Sequence, residues 1–174
     1  AKNRVKGEPV LIALDDGILE VDLQQIIQSP FAIIGVKEVE NPEAFGIVEI
    51  EGEWITRLIE KPPNPPTNLA IAGMYYIPNS DLLFKCLDEL IEKNIQTKNE
   101  FQLTDGLQLM LQYGEKMKFA RINWLDCGKP DALLETNRYL LEKQPQNYHF
   151  PNVVIIPPVF IADDAVIKHA VIGP

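Results

Sequence analysis

The chain has 174 residues, of which 46% are hydrophobic and 8% aromatic, and its formal net charge is −9 from 25 acidic and 16 basic residues. This length and composition are typical of one globular domain with room for a small appendage. The acidic balance argues against a nucleic-acid partner, because binding to a phosphate backbone needs basic patches. The sequence contains no apolar run of about 18 residues, so a membrane partner is not expected either.

The cysteine content indicates a reducing compartment. Cys86 and Cys127 have neither the spacing of a metal site nor that of a disulfide framework. We interpret both as reduced thiols, and we therefore predict a cytoplasmic location.

The first half of the chain predicts mainly strands, which are expected at residues 8–14, 31–39, 47–62 and 69–77. The first of them is expected to be buried, because it consists mainly of an apolar run. The segment 47–62 is expected to form a hairpin, because strand-like runs flank the turn Glu51-Gly52-Glu53. A short helix is expected between the first two strands.

The second half of the chain predicts three helices and one further strand. Apolar residues on one face indicate a helix over residues 80–93. Thr104 is expected to cap the N-terminus of a second helix that ends at Gly114. A strand over residues 116–125 leads into a third helix, which Pro130 opens. The whole pattern predicts an α/β sheet with helices on both faces.

Two aspartates follow predicted strands and are candidates for a ligand site. Asp16 comes directly after the first strand, and Asp126 separates the last strand from the Gly-Lys-Pro turn that opens the final helix. In open α/β sheets, ligands bind at the carboxyl ends of the strands. Both carboxylates are therefore placed to face a ligand, although a lone aspartate such as Asp126 is also common in turns and at helix N-termini.

The character of the sequence changes after Lys143, so we divide the chain into a domain at residues 1–143, a linker at 144–152 and a segment at 153–174. In the last segment, an apolar residue recurs every six positions and a small or branched residue follows it after four. The residues concerned are Ile155, Ile161 and Ile167, followed by Val159, Ala165 and Val171. This period predicts the start of a left-handed parallel β-helix, one turn of which needs stacked neighbours.

The order of these features resembles the sugar-1-phosphate nucleotidyltransferase family, which includes glucose-1-phosphate thymidylyltransferases and uridylyltransferases. The resemblance is closest to the long forms with C-terminal hexapeptide repeats. It rests on the segments "LIALDDGI", "VENPEAFGIVE", "LIEKPPNPPTNLAIAGMYYI", "NEFQLTDGLQLML", "WLDCGKPDALLETNRYLLE" and "IPPVFIADDAVI". It implies a Rossmann-like mixed sheet and the transfer of dTMP or UMP from a nucleoside triphosphate to a hexose 1-phosphate. Glucose 1-phosphate is the expected acceptor, the products are a nucleoside diphosphate sugar and pyrophosphate, and a homo-oligomer is expected.

The resemblance implies that Asp16 and Asp126 are the two metal-binding aspartates of the family and hold Mg²⁺ on the substrate phosphates. Mg²⁺ commonly takes one or two carboxylates together with phosphate oxygens and water. Transfer by in-line attack depends mostly on positioning and charge neutralisation, so no side-chain nucleophile is implied.

The resemblance also implies six substrate contacts. Glu60 would accept hydrogen bonds from sugar hydroxyls, and Lys61 would pair with the sugar phosphate. Because neighbouring strand residues point to opposite faces, both can reach one ligand only where the strand ends and bends. Gly46 would let the backbone approach the sugar. The residues implied to line the rest of the sugar pocket are Gly73, Tyr75 and Trp124.

One motif of the family does not occur in these 174 residues. It is the Gly-rich loop, Gly-x-Gly-x-Arg, whose backbone N–H groups bind the nucleotide phosphates and whose arginine stabilises the leaving pyrophosphate. We therefore expect the sequence to be a piece of a longer enzyme that does not catalyse the transfer alone. The alternative is a non-catalytic subunit of the same family that binds sugar phosphate or assembles oligomers.

Overall fold

The computed structural model describes residues 2–5, 7–14, 16–144 and 148–173. The chain divides into two compact units, of which the first is Ala1–Asp15 with Leu19–Trp124 and the second is Asp16–Ile18 with Leu125–Pro174. The elements in chain order are α1 (Lys2–Val5), β1 (Val10–Ala13), β2 (Gly17–Glu20), α2 (Leu23–Ile27), β3 (Ala32–Glu38), a 3₁₀ helix (Pro42–Ala44), β4 (Gly46–Glu51), β5 (Trp54–Glu60), β6 (Leu69–Ile77), α3 (Ser80–Glu92), α4 (Leu103–Gln112), β7 (Met117–Arg121), β8 (Asn123–Asp126), α5 (Pro130–Lys143), β9 (Val153–Ile155) and β10 (Ala170–Ile172).

Six strands of the first unit form one mixed sheet in the order β1-β6-β3-β7-β5-β4. The neighbours β3 and β7 are parallel, whereas the pairs β1–β6, β3–β6 and β4–β5 are antiparallel. The hairpin of β4 and β5 turns at Gly52, whose φ of 60° lies in the left-handed region that glycine adopts at little cost. The predicted mixed α/β sheet and its hairpin are therefore confirmed.

Helices cover both faces of this sheet, so the strand β6 buries alternate residues on opposite sides. Its residues on one face are Ile71, Tyr75 and Ile77, and those on the other are Ala72, Met74 and Tyr76. The helices α3 and α4 pack on the first face through buried Leu83, Cys86, Leu107 and Met110. The short helix α2 packs on the second face through Ile26. Cys86 is thus a free, buried thiol of the core.

Three details differ from the sequence-based expectation. The strand β1 lies at the edge of the sheet, where Leu11 is 43% exposed, so it is not the fully buried strand that its composition predicted. Thr104 does not cap α4, because the capping position is Gln102 and Thr104 lies inside the helix. The predicted strand at 116–125 is interrupted at Ile122, whose N–H donates to Val36 O of β3.

The strand β8, which follows this interruption, pairs with β2 in a separate two-stranded sheet. Asp16 precedes β2, and Asp126 is the last residue of β8, so both predicted metal ligands flank this small sheet. Asp15 lies outside the described residues, as do residues 145–147 of the predicted linker. The final helix α5 begins at Pro130, as predicted.

In the second unit, the short strands β9 and β10 are parallel, and Val153 pairs with Ala170, seventeen residues later. Between them, Val159 and Ile161 are buried, whereas Phe160 and Val166 are exposed. Whether this segment starts a β-helix stays a prediction. Among the described residues, none of the helices has the length and apolar character needed to cross a membrane.

Candidate functional site

The first group of candidate residues lies where β5 ends. Glu60 is the last residue of this strand, and Lys61 follows it with a φ of 41°, in the left-handed region that a side chain rarely adopts. The N–H of Lys61 donates to Phe45 O at 3.0 Å, which holds the turned backbone against the start of β4. The strand therefore ends and bends at the place where the sequence required a bend.

This bend lets two adjacent residues present opposite charges on the same side. Lys61 Nζ lies 3.7 Å from Glu60 Oε1, which is an ion pair but is too long for a hydrogen bond. The Glu60 side chain is only 8% exposed, whereas that of Lys61 is 38% exposed. A buried carboxylate thus stands beside a cation that solvent or a ligand can reach.

Gly46 packs directly against the Glu60 side chain. The two residues are paired in register across β4 and β5. A Cβ added at Gly46 would lie 2.8 Å from Glu60 Oε2 and 2.9 Å from Thr104 Oγ1, closer than real Cβ atoms approach other groups. A larger residue here would have to displace one of these two side chains, so glycine lets the backbone of β4 lie directly against the carboxylate.

Thr104 is the member of this group that sequence reasoning missed. It is buried in α4, and its hydroxyl donates a hydrogen bond of 2.6 Å to Glu60 Oε2. Its sequence context, a threonine beside the first residue of a helix, resembled a capping residue, so the pattern pointed to a different role. No signal in the sequence could have revealed it, because the contact joins two residues that are 44 positions apart.

Tyr75 lies in β6 and is almost fully buried. Burial, together with the nearby negative charge of Glu60, raises the pKa of Tyr75 to about 12. The phenol is therefore protonated at neutral pH and can act as a hydrogen-bond donor. Gly73 lies two residues earlier with a φ of 69°, and its carbonyl accepts from Leu14 N at 2.9 Å, just past the end of β1.

Trp124 is half-buried at the end of the first unit. Its ring packs edge-to-face on Phe45, with the ring centroids 5.5 Å apart. Its carbonyl oxygen accepts from Lys37 Nζ at 2.6 Å, which fixes the backbone of β8 to β3. Because Phe45 also accepts from the Lys61 N–H, the aromatic pair adjoins the bend after Glu60. Phe45 is a second residue that the sequence did not single out.

The second group lies in the second unit and contains Asp16 and Asp126. A Cβ added at Gly128 would lie 3.3 Å from Asp126 Oδ1 and 3.9 Å from Asp16 Oδ2, so both carboxylates reach the space that the missing side chain leaves. The N–H of Cys127 donates to Asp16 O at 3.0 Å, and the N–H of Gly128 donates to Asp126 Oδ1 at 2.9 Å. The structure thus brings together two residues that are far apart in the sequence.

This arrangement fits a divalent cation that also binds a substrate. Two oxygen ligands face one small space, and a Cβ would fill that space. Within the described ranges, no group of three or more His, Cys, Asp or Glu side chains could hold a metal ion by itself. Mg²⁺ tolerates such a site, because it commonly takes one or two carboxylates and completes its shell with phosphate oxygens and water.

The mixed sheet with helices on both faces is the Rossmann-like α/β fold of nucleotidyltransferases, and solved structures share it. A UDP-glucose pyrophosphorylase complexed with UDP-glucose matches with a TM-score of 0.66 and 22% identity, over 82% of this chain and 60% of that chain. A UTP-bound UGPase from Acinetobacter baumannii matches with a TM-score of 0.63 and 23% identity, over 84% and 55%. At this identity the likeness establishes the fold.

The chain belongs to the nucleotidyl transferase family, whose sequence model matches residues 2–143. It is 41% identical over 147 residues to the bifunctional protein GlmU of Methanocaldococcus jannaschii, covering 82% of this chain and 34% of that protein. It is 37% identical over 150 residues to the low-salt glycan biosynthesis nucleotidyltransferase Agl11 of Haloferax volcanii, covering 82% and 41%. The chain therefore spans between a third and a half of the length of these relatives.

Proposed function

We propose that the whole protein transfers a nucleotidyl group, dTMP or UMP, from a nucleoside triphosphate to a hexose 1-phosphate, with glucose 1-phosphate as the acceptor. The observation that carries the proposal is the buried carboxylate of Glu60, which accepts a hydrogen bond from Thr104, packs against Gly46 and stands beside Lys61. A sugar phosphate suits this pair, because its hydroxyls donate to carboxylates and its phosphate needs a cation.

The residues of the first unit would bind the acceptor. Glu60 would accept from two sugar hydroxyls, since one oxygen is only partly used by Thr104 and the other has no hydrogen bond to Lys61. Lys61 would pair with the phosphate, and Gly46 would let the sugar approach the backbone of β4. Tyr75, Trp124 and Gly73 would shape the pocket, with the protonated phenol of Tyr75 available as a donor.

The residues of the second unit would hold the metal ion. The family typically uses a divalent metal, and we assign Mg²⁺ to Asp16 and Asp126. When bound, Mg²⁺ neutralises phosphate charge during in-line attack on the α-phosphorus and loss of pyrophosphate. The N–H of Gly128 holds the Asp126 carboxylate, and the N–H of Cys127 holds the main-chain oxygen of Asp16, so both aspartates are anchored beside the proposed ion.

We further propose that residues 1–143 are the sugar-phosphate part of the transferase domain, that 144–152 are a linker, and that 153–174 begin a left-handed parallel β-helix. The parallel pairing of Val153 with Ala170 supports a turn of about three hexads. Exposed Val154, Phe160 and Val166 give this segment apolar surface, which supports assembly into a homo-oligomer. The reduced thiols Cys86 and Cys127 support a cytoplasmic location.

The proposal can be tested by calorimetry with glucose 1-phosphate, with and without Mg²⁺. We expect binding that requires both Lys61 and Asp126, so that Lys61→Ala and Asp126→Ala each weaken it. A matched control is Lys98→Ala, which removes an equal charge from a turn that the proposal does not use. If both site variants bind glucose 1-phosphate as tightly as the wild-type protein, the assignment of these residues is wrong.

The same protein can test the alternative of a non-catalytic assembly subunit, which the exposed apolar residues near the C-terminus favour. Sedimentation velocity over a range of concentrations reports the oligomeric state. An oligomer without any sugar-phosphate binding would support the assembly subunit and contradict the transferase. Binding of glucose 1-phosphate would exclude a subunit that only assembles oligomers, whatever the oligomeric state.

A further inference from the structure

The contact between Thr104 and Glu60 is unusual because both partners are shielded from solvent. Thr104 is 4% exposed, and the Glu60 side chain is 8% exposed. Its length of 2.6 Å is typical of a hydroxyl that donates to a charged carboxylate, which is a stronger bond than one between neutral groups. Because solvent is largely excluded here, the bond fixes the direction in which the carboxylate points.

Both oxygens of this bond pack closely against Gly46. Glu60 Oε2 and Thr104 Oγ1 both lie less than 3 Å from the point where a Cβ at Gly46 would be. A second contact fixes the strand itself, since Gln108, one turn further along α4, accepts from the main-chain N–H of Leu58 at 2.7 Å. The helix α4 therefore holds both the backbone of β5 and the carboxylate at its end.

We infer that Thr104 is a positioning residue for the sugar subsite, which rests on the function proposed above for Glu60. The hydroxyl of Thr104 occupies one acceptor site on Oε2 and locks the carboxylate plane. The remaining acceptor sites of Glu60 then point in fixed directions at two neighbouring hydroxyls of the sugar ring. A site fixed in advance binds more tightly, because the ligand does not have to order the side chain.

The test compares three variants by calorimetry, with glucose 1-phosphate and inorganic phosphate as the two probes. Thr104→Val has nearly the same shape but lacks the hydroxyl, and it should weaken glucose 1-phosphate binding about tenfold. Inorganic phosphate should bind as before, because it contacts Lys61 and not Glu60. Thr104→Ser keeps a hydroxyl and should restore most of the affinity for glucose 1-phosphate, which a loss of packing alone would not allow.

Thr97→Val is the matched control, because the hydroxyl of Thr97 also donates to a carboxylate, that of Asp105, at 2.8 Å. We expect no change in either affinity for this variant. If wild-type protein binds glucose 1-phosphate and Thr104→Val binds it equally well, the positioning role is wrong and the proposed function stands. Equal weakening for both probes would also contradict the role. If wild-type protein binds no glucose 1-phosphate, both the proposed function and the positioning role of Thr104 are wrong.

Discussion

Glu60 in the first unit and Asp126 in the second both end a strand beside a glycine and a buried threonine, but the threonines act on different atoms. Thr104 donates to the Glu60 side chain at 2.6 Å, whereas Thr136 donates to the main-chain oxygen of Asp126 at 2.9 Å. At Glu60 the carboxylate itself is locked. At Asp126 the threonine fixes only the backbone, while the carboxylate accepts from the N–H of Gly128 and faces the space beside it.

This difference matches the two kinds of ligand that we propose. Sugar hydroxyls have directional hydrogen bonds, so a site for them gains from an acceptor that is fixed before the ligand arrives. A cation attracts oxygen from many directions, so its carboxylates need only be close together and accessible. The following four predictions test this contrast, in order of decreasing effect.

Gly46→Ala should have the largest effect, because its Cβ would overlap both Glu60 and Thr104. We expect a free energy of unfolding lower by about 3 kcal/mol, as for strongly overpacked core sites, and loss of glucose 1-phosphate binding. Urea denaturation and calorimetry measure the two effects. Gly173→Ala is the control, since its Cβ would meet Ile156 at an ordinary 3.4 Å. Unchanged binding in Gly46→Ala would mean that the sugar does not approach this carboxylate.

Asp126→Asn should abolish the gain in glucose 1-phosphate affinity that Mg²⁺ provides, a loss of about 2 kcal/mol for a ligand of the ion. The amide oxygen can still accept from Gly128 N, so the local structure should persist. Calorimetry with and without Mg²⁺ gives the difference. Asp131→Asn, in the first turn of α5, removes the same charge elsewhere and should preserve the gain. An undiminished Mg²⁺ effect in Asp126→Asn would exclude Asp126 as a ligand.

The raised pKa of Tyr75 makes a pH-dependent contribution to stability. The folded protein keeps the phenol proton up to about pH 12, whereas the unfolded chain loses it near 10. The contribution is therefore complete below pH 10 and is lost as the pH rises through about 12. Relative to Tyr75→Phe, wild-type protein should lose about 1.4 kcal/mol between about pH 9 and pH 11. A constant difference in urea denaturation across that range would contradict the burial of this phenol.

Lys61 combines a charge with a backbone conformation that favours glycine, and two variants separate these properties. Lys61→Gly and Lys61→Ala both remove the charge, so both should weaken binding of inorganic phosphate. Only alanine keeps the strain at φ 41°, so Lys61→Gly should be more stable than Lys61→Ala by about 1 kcal/mol in urea denaturation. Equal stabilities would show that this bend carries no strain.

The sequence predicted the elements well where the signal was local. The hairpin at Gly52, the strand β6 and the start of α5 at Pro130 follow from turn residues and apolar patterns, and all three are confirmed. The edge position of β1 could not be predicted, because an apolar run does not show which strands will pair beside it. The interruption at Ile122 depends on its bond to β3, which is equally non-local.

The candidate site was predictable in part, for the same reason. The bend after Glu60 was expected from the need for two adjacent strand residues to face one ligand. Thr104 was missed because its role depends on Glu60, 44 residues away in the sequence, while its local context suggested a helix cap. Phe45 was missed likewise, since its contact with Trp124 exists only in the folded chain. The substrate roles of Gly73, Tyr75 and Trp124 stay predictions.

The central claim is that Glu60 and Lys61 bind the sugar phosphate and that Asp16 and Asp126 bind the metal ion. A crystal structure with glucose 1-phosphate and Mn²⁺ tests it most directly, because Mn²⁺ substitutes for Mg²⁺ and gives an anomalous signal. We expect two hydroxyls of the hexose within hydrogen-bond distance of the Glu60 carboxylate, and its phosphate beside Lys61. We expect one anomalous peak bound to oxygens of both Asp16 and Asp126. A hexose bound away from Glu60, or an ion bound away from both aspartates, would contradict the assignment of the two groups.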